Sequence, residues 1–243
     1  MNITIYTITY NEEKMLPFFL DHYSKFASKI VIYDNESTDD TVKIAKTHPL
    51  VKNIYSIKTN DQLDDRMYLE VKHNCWKEDT ADYVMLVDND ELIYYEGNIV
   101  EYLETTNESV YKTKGYDMIS ENFPKNGISI TDQIKHGVFN KFYSKPVVFK
   151  PNDIRRVLFD IGTHNGKFYN KKDLKINPTD SELKLLHYKN LSFEYVDNRH
   201  KMFTSRMCVF NQVTNAGSHY WLDTKSHKKS FNKKLNKSTK IIR

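Results

Sequence analysis

The sequence predicts an α/β fold: a mostly parallel sheet flanked by helices, followed by an α+β second half. Three observations predict it. Strand-like and helix-like segments alternate through the first 95 residues, the pattern of parallel strands joined by crossover helices. Acidic, polar clusters fall at the carboxyl ends of the strand-like segments, where open α/β sheets bind their ligands. After Tyr95 the alternation stops, and strand-like segments dominate until Ser192.

The elements follow in order. Ile3 to Thr9 alternates and is β-branched, as a strand should be. Asn11 is placed to cap a helix, with Glu12 and Glu13 in a first turn where the dipole favours negative charge. Leu16, Phe19, Tyr23 and Phe26 then recur at helical spacing. Ile30 to Tyr33 is a second strand, ending in "DNESTDDT", where Asp39 or Asp40 caps a helix through Val42, Ile44 and Ala45. Asn53 to Ile57 reads as a third strand. Leu63, Met67, Val71 and Cys75 line one face of the next helix, and Tyr83 to Val87 is a wholly apolar fourth strand. Beyond Tyr95, Ser109 to Tyr116 and Val138 to Lys150 read as strands, "FPKNG" as a turn, and Ser192 to Phe210 as a helix that Ser192 can cap.

The chain of 243 residues is 39% hydrophobic and 28% charged, which fits one large folded domain and excludes wholesale disorder. No apolar run approaches the about 18 residues of a membrane span. The start, "MNITIYTITYNEE", reads as a strand and lacks the basic and apolar regions of a signal peptide. With only Cys75 and Cys208 there is no disulfide framework and no cysteine zinc site, so a reducing cytoplasm is expected. Eight of the 36 Lys and Arg residues lie in 223–243, against one of the 32 acidic residues. The body is therefore close to neutral, which argues against nucleic acid as its partner. The expected division is a domain over 1–222, with halves at 1–95 and 96–222, and a basic tail over 223–243. Such a tail suits an anionic membrane surface or an acidic partner, or serves solubility alone.

The fourth strand runs straight into Asp88-Asn89-Asp90-Glu91, and apolar residues resume at Leu92. Carboxylates crowded between two inward-seeking segments resist ionisation unless a cation sits among them. Two acids one residue apart can share a hard cation, and Mg²⁺ or Mn²⁺ suits oxygen ligands while bridging phosphates. With seven glycines and neither a GxGxxG nor a Walker loop, a phosphate here would be neutralised by metal and side chains. The plain alternative is a chance Asp-x-Asp. Asp34 either accepts hydrogen bonds from a ribose or base or holds a turn with Ser37 and Thr38. His187 follows an apolar run, so it is either a core histidine or a further ligand. As a ligand it would favour Mn²⁺ over Mg²⁺.

Three segments in order, "TYNEEKMLPFFLDHY", "VIYDNESTDDT" and "DYVMLVDNDELI", resemble the nucleotide-sugar half of family 2-type glycosyltransferases with the GT-A fold. The later "LKLLHYKNLSFEYVDNRHKM" resembles the His-Tyr segment of a subgroup that includes the family 92-like transferases. The resemblance covers Ile3 to Met207 and implies a GT-A, Rossmann-like sheet with an acceptor-side second half. It implies a metal-dependent, inverting transfer of a sugar from a nucleoside-diphosphate sugar to a hydroxyl on a glycan, lipid-linked or protein-linked acceptor. Carried over position by position, Thr9, Tyr10 and Glu12 line the nucleotide, Asp34 contacts base or ribose, and Arg66 lies near the nucleotide. Asp88 and Asp90 match the metal-binding pair, with Asp88 also near the ribose, and His187 matches the late histidine that completes the metal's shell.

The Glu-Asp motif that usually carries the catalytic base is not visible downstream. Asp117, Glu121, Asp132 and Asp160 are the candidates, and Asp160 in "FDIGTHNG" is preferred for its nearness to His164. Lys145 and Lys150 flank an apolar strand and either steady a diphosphate or stand in solvent. Two other classes stay open. A non-catalytic carbohydrate- or nucleotide-binding module would not need Asp90 and His187. A sugar-nucleotide pyrophosphorylase would carry a glycine-rich basic loop where this chain has "TYNEEK".

Overall fold

The computed structural model describes residues 1–243, the side chain of His219 excepted. Its first half is the expected alternation: β1 (Ile3–Thr9), α1 (Leu16–Tyr23), β2 (Lys29–Asp34), α2 (Thr41–Thr47), β3 (Val51–Ser56), α3 (Asp65–Asn74) and β4 (Tyr83–Leu86). β1 pairs in parallel with β2 and β4, and β2 with β3. The second half adds β5 (Glu91–Tyr94), α4 (Ile99–Thr106), β6 (Val110–Ser120), α5 (Ile130–Gln133), β7 (His136–Phe139) and β8 (Val148–Phe149). A small three-stranded sheet, β9 (Ile154–Phe159), β10 (Gly166–Asn170) and β11 (Lys175–Ile176), precedes the long β12 (Thr179–Leu191). The chain ends in α6 (Phe193–Ser205), α7 (Val209–Thr214), α8 (Thr224–Lys237) and β13 (Thr239–Lys240). The main sheet runs β13-β7-β6-β8-β4-β1-β2-β3, with β12 beside β6 and β5 beside β12.

Both faces of β1 and β4 are covered, so every residue of these two strands is buried, whereas the edge strand β3 is largely open. Alternate residues divide between two cores: Ile3, Ile5, Tyr83 and Met85 pack with α1, whereas Tyr6, Val84 and Leu86 pack with Trp76, Phe149 and Phe168. The edge strand β5 is pinned to α1. The Tyr23 hydroxyl donates to Glu91 O and accepts from Ile93 N, both at 3.0 Å, and His22 Nε2 donates to Ile93 O at 2.8 Å.

Four local expectations change. Asn11 does not cap α1; at φ 50° its Oδ1 accepts from Thr38 N at 2.7 Å and Asp39 N at 3.3 Å, tying the loop after β1 to the loop after β2. The helix starts later, at Leu16, with Pro17 in its first turn. α3 is rotated from its apolar reading: Met67 is exposed, while Lys72 and Trp76 are buried. A lysine stem packs as well as an aliphatic side chain when its ammonium finds a partner. Val138 to Lys150 is two strands, because residues 141–143 turn across β6 as a 3₁₀ helix. Gly115 permits that crossing; a Cβ there would lie 2.1 Å from the Tyr143 carbonyl carbon. Helix α6 starts as read, with Ser192 Oγ accepting from Tyr195 N.

The fourth difference is the basic segment. From Asp223 on it is built into the fold: β13 pairs with β7, Ile242 is buried in the main core, and Phe231 packs with Ile119 and Val196. Its charge had suggested solvent, but the apolar residues Phe231, Leu235 and Ile242 carry one face onto the sheet. No helix is long and apolar enough to cross a membrane, among the described residues. Phe231→Ala is expected to lower unfolding free energy by about 3 kcal/mol, read by chemical denaturation. A change within about 0.5 kcal/mol, the usual surface value, would mean that the segment is only loosely attached.

Candidate active site

The carboxyl ends of β1 and β4 open into a cavity of about 230 Å³. Thr9 reaches it from the end of β1, Tyr10 and Glu12 from the loop that follows, Asp88 to Asp90 from the loop after β4, Glu91 from the start of β5, and His187 from β12. Strand register explains part of the grouping. Asp117 of β6 is aligned with His187 of β12, and His187 with Glu91 of β5, so three ionisable residues lie in one row across the sheet. Asp90 joins this row because Tyr188 N donates to its carbonyl at 2.7 Å.

Each acid meets a cation from another part of the chain. Lys72 Nζ lies 2.8 Å from Asp88 Oδ1, and Lys145 Nζ lies 2.5 Å from Glu91 Oε1. Arg199 of α6 clasps Glu12 and sits 3.3 Å from Asp90. His187 Nε2 is 3.4 Å from Asp90 and its Nδ1 is 3.5 Å from Asp117. Lys234 of α8 completes the set, 2.8 Å from Asp117, so the basic segment reaches the carboxylate next to His187.

The ionisation of these groups follows from burial and pairing. Burial raises the Glu12 carboxyl to about 7, against the opposing pull of Arg199. Burial would also raise Asp90, but His187 and Arg199 overcome it and hold the carboxyl well below its usual range. At Asp88 burial is likewise outweighed, by Lys72 and Lys145. Burial alone would lower His187, yet Asp90 and Asp117 push it up. Burial lowers the Lys189 ammonium to about 8 despite Asp117.

The residues singled out in sequence divide into two groups. Thr9, Tyr10, Glu12, Asp88, Asp90, His187 and His164 come together on the cavity wall. Asp34, Arg66 and Asp160 do not. Asp34 accepts from Ser37 N at 3.2 Å at the end of β2. Arg66 is held by its neighbour Asp64 and lies over the Phe210 ring. Asp160 is exposed and accepts from Asn165, although the turn it opens, residues 161–163, does line the cavity.

Sequence reasoning passed over Lys72, Arg199 and Asp65, and left Lys145 between two roles. A signal for Lys145 did exist: it and Glu91 are opposite charges, each standing directly before an apolar run, Pro146 to Phe149 and Leu92 to Tyr95. For Lys72 the signal was the helical spacing of Asp65, Tyr68, Lys72 and Trp76, a second and more polar face.

The resemblance implies a divalent ion, and the donors can be tested against one. Asp90 and His187 bring a carboxylate oxygen and an imidazole nitrogen within 3.4 Å of each other. Asp117 lies 3.5 Å from the other ring nitrogen without a hydrogen bond to it, on the side where a carboxylate can orient a metal-binding histidine. Asp90 and His187 fit a metal. Asp88 does not join these two, because its carboxylate is turned onto Lys72. Among the described residues no group of three His, Cys, Asp or Glu side chains is arranged to hold a metal ion. Further donors would have to come from a bound diphosphate or water. Polar atoms suited to a ligand are present: Thr9 Oγ1 and both amide atoms of Asn89 are buried without a hydrogen-bonding partner.

The Lys145–Glu91 pair is the most deeply buried, with side chains 2% and 1% exposed. Lys145→Met strands a carboxylate and is expected to cost about 3–5 kcal/mol of stability, whereas adding Glu91→Gln should recover much of the loss. Equal stability of the single and double variants by chemical denaturation would show that the pair is not coupled.

Comparison with known proteins places this geometry. Residues 4–174 match the family profile described as glycosyl transferase family 2. No curated protein matches. Among solved structures, S. aureus TarS is 15% identical with a TM-score of 0.45, over 84% of this chain and 39% of that one. TarS 1-349 in complex with UDP-GlcNAc is also 15% identical with a TM-score of 0.45, over 85% of this chain and 66% of that one. Glucosyl-3-phosphoglycerate synthase from Mycobacterium tuberculosis, in complex with Mn²⁺, UDP and glucosyl-3-phosphoglycerate, is 16% identical with a TM-score of 0.32, over 48% of this chain and 44% of that one. The chain thus spans less than two thirds of the length of these structures. The family match runs from β1 through β10, well over half of the chain, and this protein therefore belongs to glycosyl transferase family 2, its mainly parallel sheet flanked by helices being that of the GT-A fold.

Proposed function

We propose that the cavity binds a nucleoside-diphosphate sugar and passes its sugar, with inversion, to a hydroxyl of a glycan, lipid-linked or protein-linked acceptor. One observation carries the reading: unpartnered buried polar atoms of Thr9 and Asn89 share a cavity with Asp88, Asp90, His187 and three matched cations. The first group suits a nucleotide, and the second suits a diphosphate with its counter-charge.

Mn²⁺ or Mg²⁺, held by Asp90 and His187, would supply Lewis-acid stabilisation of the departing diphosphate. The chain's own residues do the remaining work. Thr9 and Tyr10 face the nucleoside. Lys72 and Lys145 offset the negative charge, and because both are already fixed by carboxylates they need little reorganisation during transfer. Arg199 holds Glu12 and Asp90 in one orientation. Asp160, the base preferred from sequence, is exposed and stands off the cavity wall, so its carboxylate is not placed to take the acceptor's proton.

Incubation with Mn²⁺ and a panel of UDP-, GDP-, ADP- and dTDP-sugars should release the matching nucleoside diphosphate. Binding without release would favour a non-catalytic module. Asp90→Asn should abolish release and weaken metal-dependent nucleotide binding by calorimetry, with the fold intact by circular dichroism; full activity would remove the metal role. His187→Ala should lose at least tenfold in Mn²⁺ affinity by calorimetry, and its metal-free Tm should fall because buried Asp90 and Asp117 lose a partner; unchanged Mn²⁺ affinity would remove the ligand role. Asp160→Asn should leave kcat within a few fold, because this carboxylate is exposed and off the cavity wall. A loss of about 100-fold or more with donor affinity unchanged would restore it as the base.

A further inference from the structure

A second groove, of about 530 Å³, lies where the loop after β6 meets α6 and the loop after β1. That size falls within the about 300–1,000 Å³ of small-molecule sites. Its apolar lining is aromatic. The rings of Phe123 and Tyr195 lie 4.7 Å apart at 57°, both only half-buried. Its rim is polar, with Asn126, Asn198 and Glu194 exposed. Its inner wall is the Glu12–Arg199 pair, which is also a wall of the catalytic cavity. One ion pair therefore separates the groove from the site of Asp90.

We propose that this groove receives the acceptor, and that the acceptor end it holds is a saccharide without phosphate, either neutral or an amino sugar. The direction of transfer rests on the nucleotide-sugar reading above; the groove's chemistry stands by itself. A pyranose presents one face of C–H groups, which packs on the negative face of an aromatic ring. Its hydroxyls both donate and accept, which matches side-chain amides and carboxylates. The charge balance then selects among saccharides. Glu12 and Arg199 compensate each other, leaving the carboxylates of Glu13, Asp39 and Glu194 against the single ammonium of Lys14. A phosphate placed there meets like charge, and that repulsion discriminates against it. An ammonium is welcomed.

Saturation-transfer NMR on the full chain reads the groove without needing turnover. The probes are cellobiose, chitobiose and glucosamine, each compared with glucose 6-phosphate, in the presence and absence of UDP. Signals are expected for the three unphosphorylated sugars, with glucose 6-phosphate at least tenfold weaker and UDP leaving the sugar signals in place. Phe123→Ala should weaken the sugars at least tenfold. Phe123 also touches Phe18, so the exposed Asn198→Ala, expected to lose at least threefold, separates recognition from packing. Glu194→Lys should bring glucose 6-phosphate closer to the neutral sugars. Nucleotide-sugar hydrolysis without acceptor should stay within twofold of the parent in all three variants. Absence of any saccharide signal, equal binding of glucose 6-phosphate, or signals indifferent to both Phe123→Ala and Asn198→Ala overturns the groove. Responsive saccharide signals in a chain that hydrolyses no nucleotide sugar keep the groove and overturn the transferase reading instead.

Discussion

Crowded carboxylates at the ends of the parallel strands are the constraint around which the rest of the molecule is arranged. Glu12, Asp88, Asp90, Glu91 and Asp117 lie on neighbouring strands or the loops leaving them, and all but Asp88 are nearly inaccessible to water. Unmatched, they could not all stay ionised. Each is matched by a cation from elsewhere: Arg199 from α6, Lys72 from α3, His187 from β12, Lys145 from the segment before β8, and Lys234 from α8. Charge neutralisation thereby stitches the first half of the chain to the second, and the last helix to both.

Such pairs contribute little net stability, because the desolvation of two charges offsets most of their attraction. The stability of the sheet comes from its two apolar faces, divided between the packing around α1 and the packing around Trp76. What the pairs provide is placement. A carboxylate clamped by a cation points one way, and a cation clamped by a carboxylate is already where the proposed diphosphate's charge would be countered. The site is therefore built ahead of its ligand, and the strand register of β5, β12 and β6 sets its spacing.

The same logic divides the active region in two. Glu12 and Arg199 form a wall with the polar cavity on one side and the aromatic groove on the other. The cavity has metal donors, ammonium groups and unpartnered polar atoms. The groove has rings, amides and an acidic balance. A donor rich in phosphate and an acceptor without it would be sorted by charge alone before any finer recognition.

Local pattern carried the elements whose causes are local. The unbroken Tyr83–Val87 run, the β-branched Ile3–Thr9 and the acids at strand ends were legible because burial on both faces and ligand placement in parallel sheets act on consecutive residues. Asp88 and Asp90 were placed at the cavity in this way, and the family resemblance added His187. The partners of these residues were not legible. Lys72 looked like one more polar residue on a helix whose apolar side seemed to be Met67 and Val71, and Lys234 like part of a solvated tail. Pairings such as Lys234 with Asp117, 117 residues apart, depend on how β6, β12 and α8 pack, and no short-range periodicity encodes them. By itself the sequence determined the parallel α/β half, the acidic rim and the class of chemistry. Only the tertiary structure decided which cation answers which acid, that the basic end belongs to the core, and that Asp34, Arg66 and Asp160 stand off the cavity wall. The physical reason is that a charge declares its need for a partner in one dimension, but the partner is chosen by three-dimensional packing.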